Sequence, residues 1–158
     1  MTKATLLLFA VAAVLAVQAS ATRVNECKSG KPLPDTTRVV VTNCDAPPCK
    51  LKKRTKVGII QKFTPNRDIP KLTTNVFANI LGMSLPFIGV DGTDACSKIF
   101  NADNVPTSCP LKQGVEYIYK NEFPILQIYP TVDLVVHWAL KEGDQDVTCF
   151  EVPARIQP

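Results

Sequence analysis

The stretch YPTVDLVVHWAL, from Tyr129 to Leu140, gives the clearest indication of the fold of this chain. Its large apolar side chains occupy alternate positions: Val132, Leu134, Val136, Trp138 and Leu140. Because the side chains of a strand alternate between two faces, these residues line one face of a single strand. The other face is mixed, with Asp133, Val135, His137, Ala139 and Lys141. The stretch therefore predicts a half-buried strand whose apolar face packs either on a filled core or around a ligand.

The rest of the chain repeats strand signals at short intervals. Strands are predicted at residues 22–27, 36–43, 56–64, 115–123 and 147–156, where β-branched or alternating apolar residues lie between turn-forming residues. Residues 72–85 fit a helix or a strand, and the strand is preferred because strand signals surround the segment. Residues 87–104 lack periodicity and are predicted to form a long loop. About seven strands without a clear helix predict an immunoglobulin-like antiparallel β-sandwich.

Residues 1–21 have the composition of a secretory signal peptide. Lys3 supplies a positive start, residues 4–17 are apolar, and Ala19-Ser20-Ala21 is a small-x-small cleavage site. A membrane anchor is the competing interpretation, but about fourteen apolar residues are too few to span a bilayer. We expect cleavage after Ala21, which leaves one secreted or luminal domain at residues 22–158.

All six cysteines lie in the expected mature domain: Cys27, Cys44, Cys49, Cys96, Cys109 and Cys149. An even number in an exported protein predicts three disulfides, although the count alone leaves their pairing open. Proximity in sequence favours Cys44–Cys49 and Cys96–Cys109, which leaves Cys27–Cys149. A zinc site is disfavoured, because the chain has no CxxC motif and one histidine.

The dense basic cluster of the chain is formed by Lys50, Lys52, Lys53, Arg54 and Lys56, within a net charge of +4. No aromatic residues interleave with it, so nucleic-acid binding is disfavoured. A solvated strand end is the preferred interpretation. Attraction to an anionic membrane surface is a further one.

The sequence contains no recognisable catalytic constellation. The one histidine, His137, lies on the mixed face of its predicted strand, where we expect it to face solvent. Asp133 on the same face is too far along an extended strand for a direct bond. Nucleophile-elbow, zinc-protease, phosphate-loop and dinucleotide motifs are absent from the sequence. We therefore expect a protein that is not an enzyme, whose inward faces form a filled core or, less commonly, a ligand cavity.

A set of short motifs extends from about Cys27 to Ile156. They are Val39-Val-Val-Thr-Asn-Cys44, Pro48-Cys49-Lys-Leu51, Gly82, Pro86-Phe87, Cys109-Pro110, Tyr117-Ile-Tyr119, Asn121-Glu-Phe-Pro124, Tyr129-Pro130, Leu134-Val-Val-His-Trp138 and Cys149-Phe-Glu-Val-Pro153. Each motif is weak alone. Together with the order of the cysteines, they resemble the Niemann–Pick type C-2 sterol-transfer proteins of the ML lipid-recognition family.

The resemblance implies a seven-stranded sandwich whose sheets splay apart to hold a lipid. It also implies the pairing Cys27–Cys149, Cys44–Cys49 and Cys96–Cys109. The positions that match the family's lipid-binding pocket are Val41, Val57, Ile59, Ile80, Leu85, Phe87, Ile125, Tyr129, Pro130, Trp138, Phe150 and Val152. Among them, Phe87, Ile125 and Tyr129 match a gate at the pocket mouth. We expect the gate to be partly exposed.

The loop Leu81-Gly82-Met83 matches an exposed apolar knob that is implicated in handing sterol to a membrane partner. Several positions depart from the family pattern. Phe150 stands where sterol carriers have a tryptophan, residues 88–92 replace a proline-rich tract, and the sequence has no N-glycosylation sequon. Such departures are typical of the arthropod members.

The resemblance implies a monomeric carrier of sterol, secreted or in the lysosomal lumen, with no cofactor besides its lipid. A membrane sterol transporter of the Niemann–Pick type C pathway is the expected partner. Alternatives are a carrier of fatty acids or semiochemicals, and a protein that recognises microbial lipid. A structural sandwich with a filled core and a protein-binding edge is the third alternative.

Overall fold

The computed structural model describes residues 20–33 and 38–158. Most of the expected signal peptide and the first residues of the strand expected at 36–43 lie outside these ranges. The strands are β1 (Asn25–Glu26), β2 (Val39–Val41), β3 (Cys49–Lys52), β4 (Lys56–Phe63), β5 (Thr73–Ile80), β6 (Met83–Pro86), β7 (Ile99–Asn101), β8 (Pro106–Thr107), β9 (Tyr117–Pro124), β10 (Asp133–Glu142) and β11 (Gln145–Gln157). A 3-10 turn, Cys96–Lys98, precedes β7. Among the described residues, no helix is long and apolar enough to cross a membrane.

Two sheets form the predicted β-sandwich. The first has the order β1-β11-β10-β5-β6, with β3 alongside the end of β11, and the second has the order β2-β4-β9-β7-β8. The strand predicted from YPTVDLVVHWAL is β10, which pairs with β11 on one side and with β5 on the other. Trp138 thus lies between Phe150 and Val76, at the centre of the first sheet.

The apolar stripes of the strands meet in one core between the sheets. In β10, Leu134, Val136, Trp138 and Leu140 are all buried, as their alternation predicts. The burial in β4 follows the same period of two from Val57 to Phe63. The fold class predicted from the sequence is therefore confirmed.

Several local predictions were wrong. Residues 72–85 form a hairpin and not one strand, because Leu81 and Gly82 adopt positive φ angles of 49° and 83° and reverse the chain. The expected loop 87–104 contains β7, which pairs with β9. A short strand that was not predicted, β3, pairs in parallel with the end of β11 beside the otherwise antiparallel sheet. The expected first strand is reduced to Asn25–Glu26.

The six cysteines pair as Cys27–Cys149, Cys44–Cys49 and Cys96–Cys109, with Cα–Cα distances of 5.7, 5.3 and 5.2 Å. This pairing is the one that sequence proximity favours and that the resemblance implies. The first bridge joins the N-terminal segment to β11, and the second closes the turn between β2 and β3.

Candidate functional site

A small apolar cavity opens at one end of the sandwich, beside the β5–β6 hairpin and the link between β9 and β10. Its volume is about 50 Å³. It is lined by Ala78, Ile80, Leu85, Pro86, Phe87, Tyr129, Pro130 and Ile156. We call this end the mouth. Of the residues matched to the family pocket, the cavity brings together Ile80, Leu85, Phe87, Tyr129 and Pro130.

Backbone hydrogen bonds fix the two aromatic residues of the mouth. The N–H of Phe87 donates to the carbonyl of Val76 (3.0 Å), and the N–H of Tyr129 donates to the carbonyl of Leu126 (3.2 Å). The Tyr129 hydroxyl in turn accepts a hydrogen bond from the N–H of Ile88, at 3.0 Å. The two rings meet edge to face, with centroids 5.7 Å apart. Tyr129 thereby ties the β9–β10 link to the segment that follows β6.

The expected exposure of the gate is wrong for two of its three residues. Phe87 and Ile125 are only 3% and 1% exposed, whereas Tyr129 is partly buried. Phe87 points inward because its ring packs on Phe123 as well as on Tyr129. Ile125 is fixed by hydrogen bonds of its N–H to Thr55 and of its carbonyl with Arg54. The exposed part of the mouth is formed by Leu85, Pro86 and Pro130, with the partly buried Tyr129 beside them.

A row of aromatic rings leads from the mouth into the core. Successive centroids lie 5.7 Å apart from Tyr129 to Phe87, 5.4 Å from Phe87 to Phe123, and 5.3 Å from Phe123 to Trp138. At Trp138 the row meets Tyr119 at 6.2 Å and Phe150 at 6.4 Å. Phe123 and Tyr119 were missing from the residues expected at the pocket, although their positions in β9 place them on the inward face with Tyr117.

The other expected pocket residues lie in the filled part of the core. Val41, Val57, Ile59, Trp138, Phe150 and Val152 are all buried and do not line the mouth cavity. Ligand sites for small molecules usually measure about 300–1,000 Å³, well above the volume at the mouth. A lipid would therefore require side chains along the aromatic row to move and the two sheets to separate.

Larger depressions occur on the outside of the sandwich. One of about 600 Å³ lies against the second sheet and includes Lys56, Lys98 and Lys120. Another, of about 280 Å³, lies beside the Cys27–Cys149 bridge. Both linings mix charged with apolar side chains, so the mainly apolar mouth cavity, although smaller, is the better candidate for an apolar ligand.

The rim around the mouth combines apolar and basic side chains. Exposed apolar residues are concentrated there: Leu81 (96% exposed), Met83, Leu85, Ile88 and Ile128. The basic cluster lies nearby, because β3 runs beside the end of β11 and Arg54 donates its side-chain N–H to Gln127 at 2.9 Å. An apolar rim with cations beside it is typical of a surface that meets a membrane or a partner protein.

His137 lies on the outer face of β10, as expected from the sequence, but it is only partly exposed there. Its Nδ1 lies 3.0 Å from a Glu151 oxygen and its Nε2 lies 3.4 Å from the sulfur of Cys149, with 21% of the side chain exposed. His137, Cys27 and Cys149 are close enough together to resemble a metal-binding group. Both sulfurs are bonded to each other, so neither is a thiolate that could ligate a metal ion.

Tyr119 is the titratable side chain most affected by burial. Removal from water disfavours the phenolate and raises the pKa of Tyr119 well above its ordinary value. The Asn121 amide, which donates to the Tyr119 oxygen at 2.8 Å, and the nearby Trp138 indole oppose this rise only in part. Tyr119 is therefore a neutral hydroxyl at neutral pH.

Comparison with known proteins agrees with this architecture. The family model described as the ML domain matches residues 21–156. The ecdysteroid-regulated 16 kDa protein of Manduca sexta is 34% identical over 96% of this chain and 99% of its own length. The NPC intracellular cholesterol transporter 2 homolog a of Drosophila melanogaster is 33% identical over 92% of this chain and 94% of its own.

The crystal structure of a Niemann–Pick type C2 protein from the Japanese carpenter ant has the same fold. Its TM-score is 0.68 at 24% identity, over 85% of this chain and 98% of that one. The ML-domain match covers the whole sandwich, and the relatives share nearly their full length with this chain. The chain is therefore a non-enzymatic member of the ML-domain family, similar to the Niemann–Pick type C2 proteins of arthropods.

Proposed function

We propose that this chain is a lipid carrier that binds a sterol between its two sheets and releases it at a membrane or to a membrane protein. The observation that carries the proposal is the aromatic row from Tyr129 to Trp138, which begins at an apolar cavity and continues to the centre of the core. The names of the relatives that are cholesterol transporters support a sterol as the cargo.

The binding mechanism is desolvation of an apolar body. The ligand enters at the mouth, its apolar rings and tail take the place of side-chain contacts along the aromatic row, and its polar head stays near water. Val41, Val57, Ile59, Ile80, Leu85, Phe87, Ile125, Tyr129, Pro130, Trp138, Phe150 and Val152 are the proposed lining. A sterol of about 28 non-hydrogen atoms at about −0.3 kcal/mol per atom reaches roughly −8 kcal/mol, which is about micromolar affinity.

The two sides of the mouth can move apart while the strand pairing within the centre of each sheet is kept. The β5–β6 hairpin is an edge element, because β6 pairs only with β5 among the described strands. The link between β9 and β10 is held near Ile88 by the Tyr129 hydroxyl. Movement of these two segments apart would widen the mouth without breaking the central β10–β11 and β4–β9 pairings.

Release of the cargo is assigned to the rim. Leu81 and Met83 at the tip of the hairpin, with Ile128 opposite, form an apolar surface that fits a bilayer or the apolar site of a membrane sterol transporter. The Lys50–Lys56 cluster would attract anionic headgroups to the same side. We further propose that the chain acts as a monomer, after cleavage at Ala21, outside the cell or in the lysosomal lumen. The three disulfides support such an oxidising compartment.

The test is a titration of the protein with a fluorescent sterol, together with native mass spectrometry of lipid carried by the secreted protein. The proposal expects saturable one-to-one binding at about micromolar Kd and competition by unlabelled cholesterol. Saturable binding of fatty acids without sterol competition would instead assign the chain to fatty-acid or semiochemical transport. A preference for phosphorylated microbial lipid would make it an immune recognition protein, and failure to bind any lipid would leave a structural sandwich.

A further inference from the structure

The Cys27–Cys149 disulfide has an imidazole in contact with one of its sulfurs. The Nε2 atom of His137 lies 3.4 Å from Sγ of Cys149, and the Nδ1 atom lies 3.0 Å from a Glu151 oxygen. His137 and Glu151 are directly opposite each other in the β10–β11 ladder, which fixes this contact. Because a carboxylate only accepts hydrogen bonds, the shared proton is on Nδ1, and Glu151 thereby turns Nε2 toward the sulfur. Carboxylate, imidazole and sulfur in this order are the groups with which proteins assist sulfur chemistry.

The Cys96–Cys109 disulfide provides a comparison within the same molecule. Its two cysteines are partly buried, as are Cys27 and Cys149. The sulfur of Cys96 lies 4.0 Å from the backbone carbonyl of Leu72, a group that cannot deliver a proton. The two bridges therefore have similar access to solvent but differ in the chemistry beside their sulfurs.

A small molecule can reach the Cys27–Cys149 bridge from outside the sandwich. Both cysteines line the depression of about 280 Å³ described above. The same lining carries charges of both signs, from Glu26, Lys28 and Asp146. A lining with both signs of charge is complementary to a small zwitterion more than to an apolar molecule or a polyanion.

The two sulfurs of the bridge differ in how firmly the backbone holds them. Cys27 follows β1, which pairs with β11 through two residues. Cys149 is within β11, in the middle of its long ladder with β10. Cys27 can therefore change its bonding partner with little effect on the sheet, whereas Cys149 stays next to His137.

We propose that Cys27–Cys149 is a site of thiol–disulfide exchange for a small zwitterionic aliphatic thiol, of which free cysteine is an example. The thiolate of the small molecule attacks Sγ of Cys27, so that one S–S bond forms and the Cys27–Cys149 bond breaks. The electron pair of the broken bond stays on Sγ of Cys149, which takes a proton from Nε2 of protonated His137. The small thiol is oxidised to one half of a mixed disulfide, and Cys149 is reduced to a thiol. The proton that the small thiol released on ionisation returns to His137 through solvent.

The test follows the opening of each bridge in the native protein. Free cysteine is added at one pH, early samples are quenched with excess N-ethylmaleimide, and peptide mass spectrometry locates the products. Cys27–Cys149 should open about tenfold faster than Cys96–Cys109, because a proton donor lies next to its leaving sulfur. The mixed disulfide should be on Cys27 and the maleimide on Cys149. Equal rates at the two bridges, or a mixed disulfide on Cys149, would overturn the proposal.

The variant His137→Ala separates assisted exchange from loosening of the fold. If the bridge opened through local unfolding of β1, a less stable variant would open faster. The proposal expects the opposite, an opening of Cys27–Cys149 that is about tenfold slower. Cys96–Cys109 in the same sample should open at an unchanged rate. An unchanged or faster opening of Cys27–Cys149 in this variant would contradict the role of His137.

Glu151 is a positioning residue, so Glu151→Ala should slow the same bridge by a smaller factor than His137→Ala. Equal slowing of Cys96–Cys109 would mean a general effect on the fold and would remove this role. The comparison of the two bridges in the unaltered protein decides the proposal even if a variant does not fold. The measurement needs no lipid, so its outcome is independent of the proposed sterol transport.

Discussion

The backbone N–H of Ile88 donates a hydrogen bond to the Tyr129 hydroxyl, with nitrogen and oxygen 3.0 Å apart. This bond joins the segment after the β5–β6 hairpin to the link between β9 and β10, which are the two sides of the mouth. It is a direct hydrogen bond across the mouth, which would have to widen if a lipid enters there, as we propose. The strength of this hydrogen bond is therefore expected to affect the rate at which a lipid enters and leaves more than the stability of the fold.

Tyr129→Phe should remove this bond while keeping the ring against Phe87. The net cost to the free energy of unfolding should be about 1 kcal/mol or less, because the freed N–H of Ile88 is at the surface. The rate of sterol dissociation should rise severalfold. Stopped-flow fluorescence of a bound sterol measures it.

Tyr117→Phe is the matched control. The Tyr117 hydroxyl also accepts a backbone hydrogen bond, from Lys112 at 3.0 Å, but lies away from the mouth. The Tyr117→Phe variant should lose a similar amount of stability, and its rate of sterol dissociation should not change. Equal acceleration in both variants would show that the Tyr129 bond does not control entry.

Phe87→Ala should lower both stability and sterol binding. The side chain is 3% exposed and packs on Phe123 and Tyr129, so truncation should cost about 3–5 kcal/mol, as for a core phenylalanine. Thermal or denaturant unfolding measures this loss. Leu134→Ala, at a buried position near the start of β10, should lose about 2–5 kcal/mol with a smaller effect on affinity. A Phe87→Ala protein with an unchanged melting temperature would show that this ring lies outside the packed core.

The burial of Phe87 marks a limit of what the sequence could predict. The period of two in β4, β10 and β11 was sufficient to identify their inward faces, because burial on one side of a sheet repeats every second residue. Phe87 follows a strand end beside a proline, so no periodicity defines its direction. Its depth is decided by Phe123 of the opposite sheet, a contact between residues 36 positions apart in the chain.

The short strands also could not be predicted from the sequence. Ile99–Asn101 is too short to display a period, and it is a strand because β9 offers it hydrogen-bonding partners. The periodicity of residues 72–85 missed the hairpin, because Gly82 was interpreted as a strand position, whereas the resemblance placed a loop at Leu81-Gly82-Met83. Gln61 shows the reverse case: its inward face was predictable from the alternation in β4, but its unpaired oxygen depends on which side chains meet it from the other sheet.

The three disulfides should differ in their contribution to stability. Cys27–Cys149 spans 122 residues and Cys44–Cys49 spans 5. The chain-entropy model gives about 5 kcal/mol for the long loop and about 2 kcal/mol for the short one. Paired serine substitutions, followed by chemical denaturation, should reproduce that order. A larger loss from the short bridge would mean that native-state packing around Cys44, and not chain entropy, governs the difference.

His137→Ala should leave sterol affinity within about twofold of the unaltered protein. The imidazole contacts Glu151 and the Cys149 sulfur on the outer face of the first sheet, whereas the proposed site is on the inner face. A loss of about 1 kcal/mol in stability is expected from the partly buried hydrogen bond. Glu151→Gln, which keeps the size of the partner, is the control for the charge. A tenfold loss of affinity would place His137 in the binding mechanism.

Leu81→Asn should make the protein more stable and a poorer donor of sterol. Leu81 is 96% exposed and has a φ of 49°, a conformation that costs a leucine about 1 kcal/mol and that asparagine adopts more readily. The replacement should therefore raise the melting temperature by about 3 °C. If the rim delivers sterol to membranes, loss of this apolar tip should slow transfer to acceptor vesicles severalfold at unchanged equilibrium affinity.

Ile128→Asn removes apolar surface from the other side of the mouth at a residue without a positive φ, so it should slow transfer without the gain in stability. Transfer rates equal to those of the unaltered protein in both variants would show that the strained, exposed leucine is not kept for delivery to the bilayer.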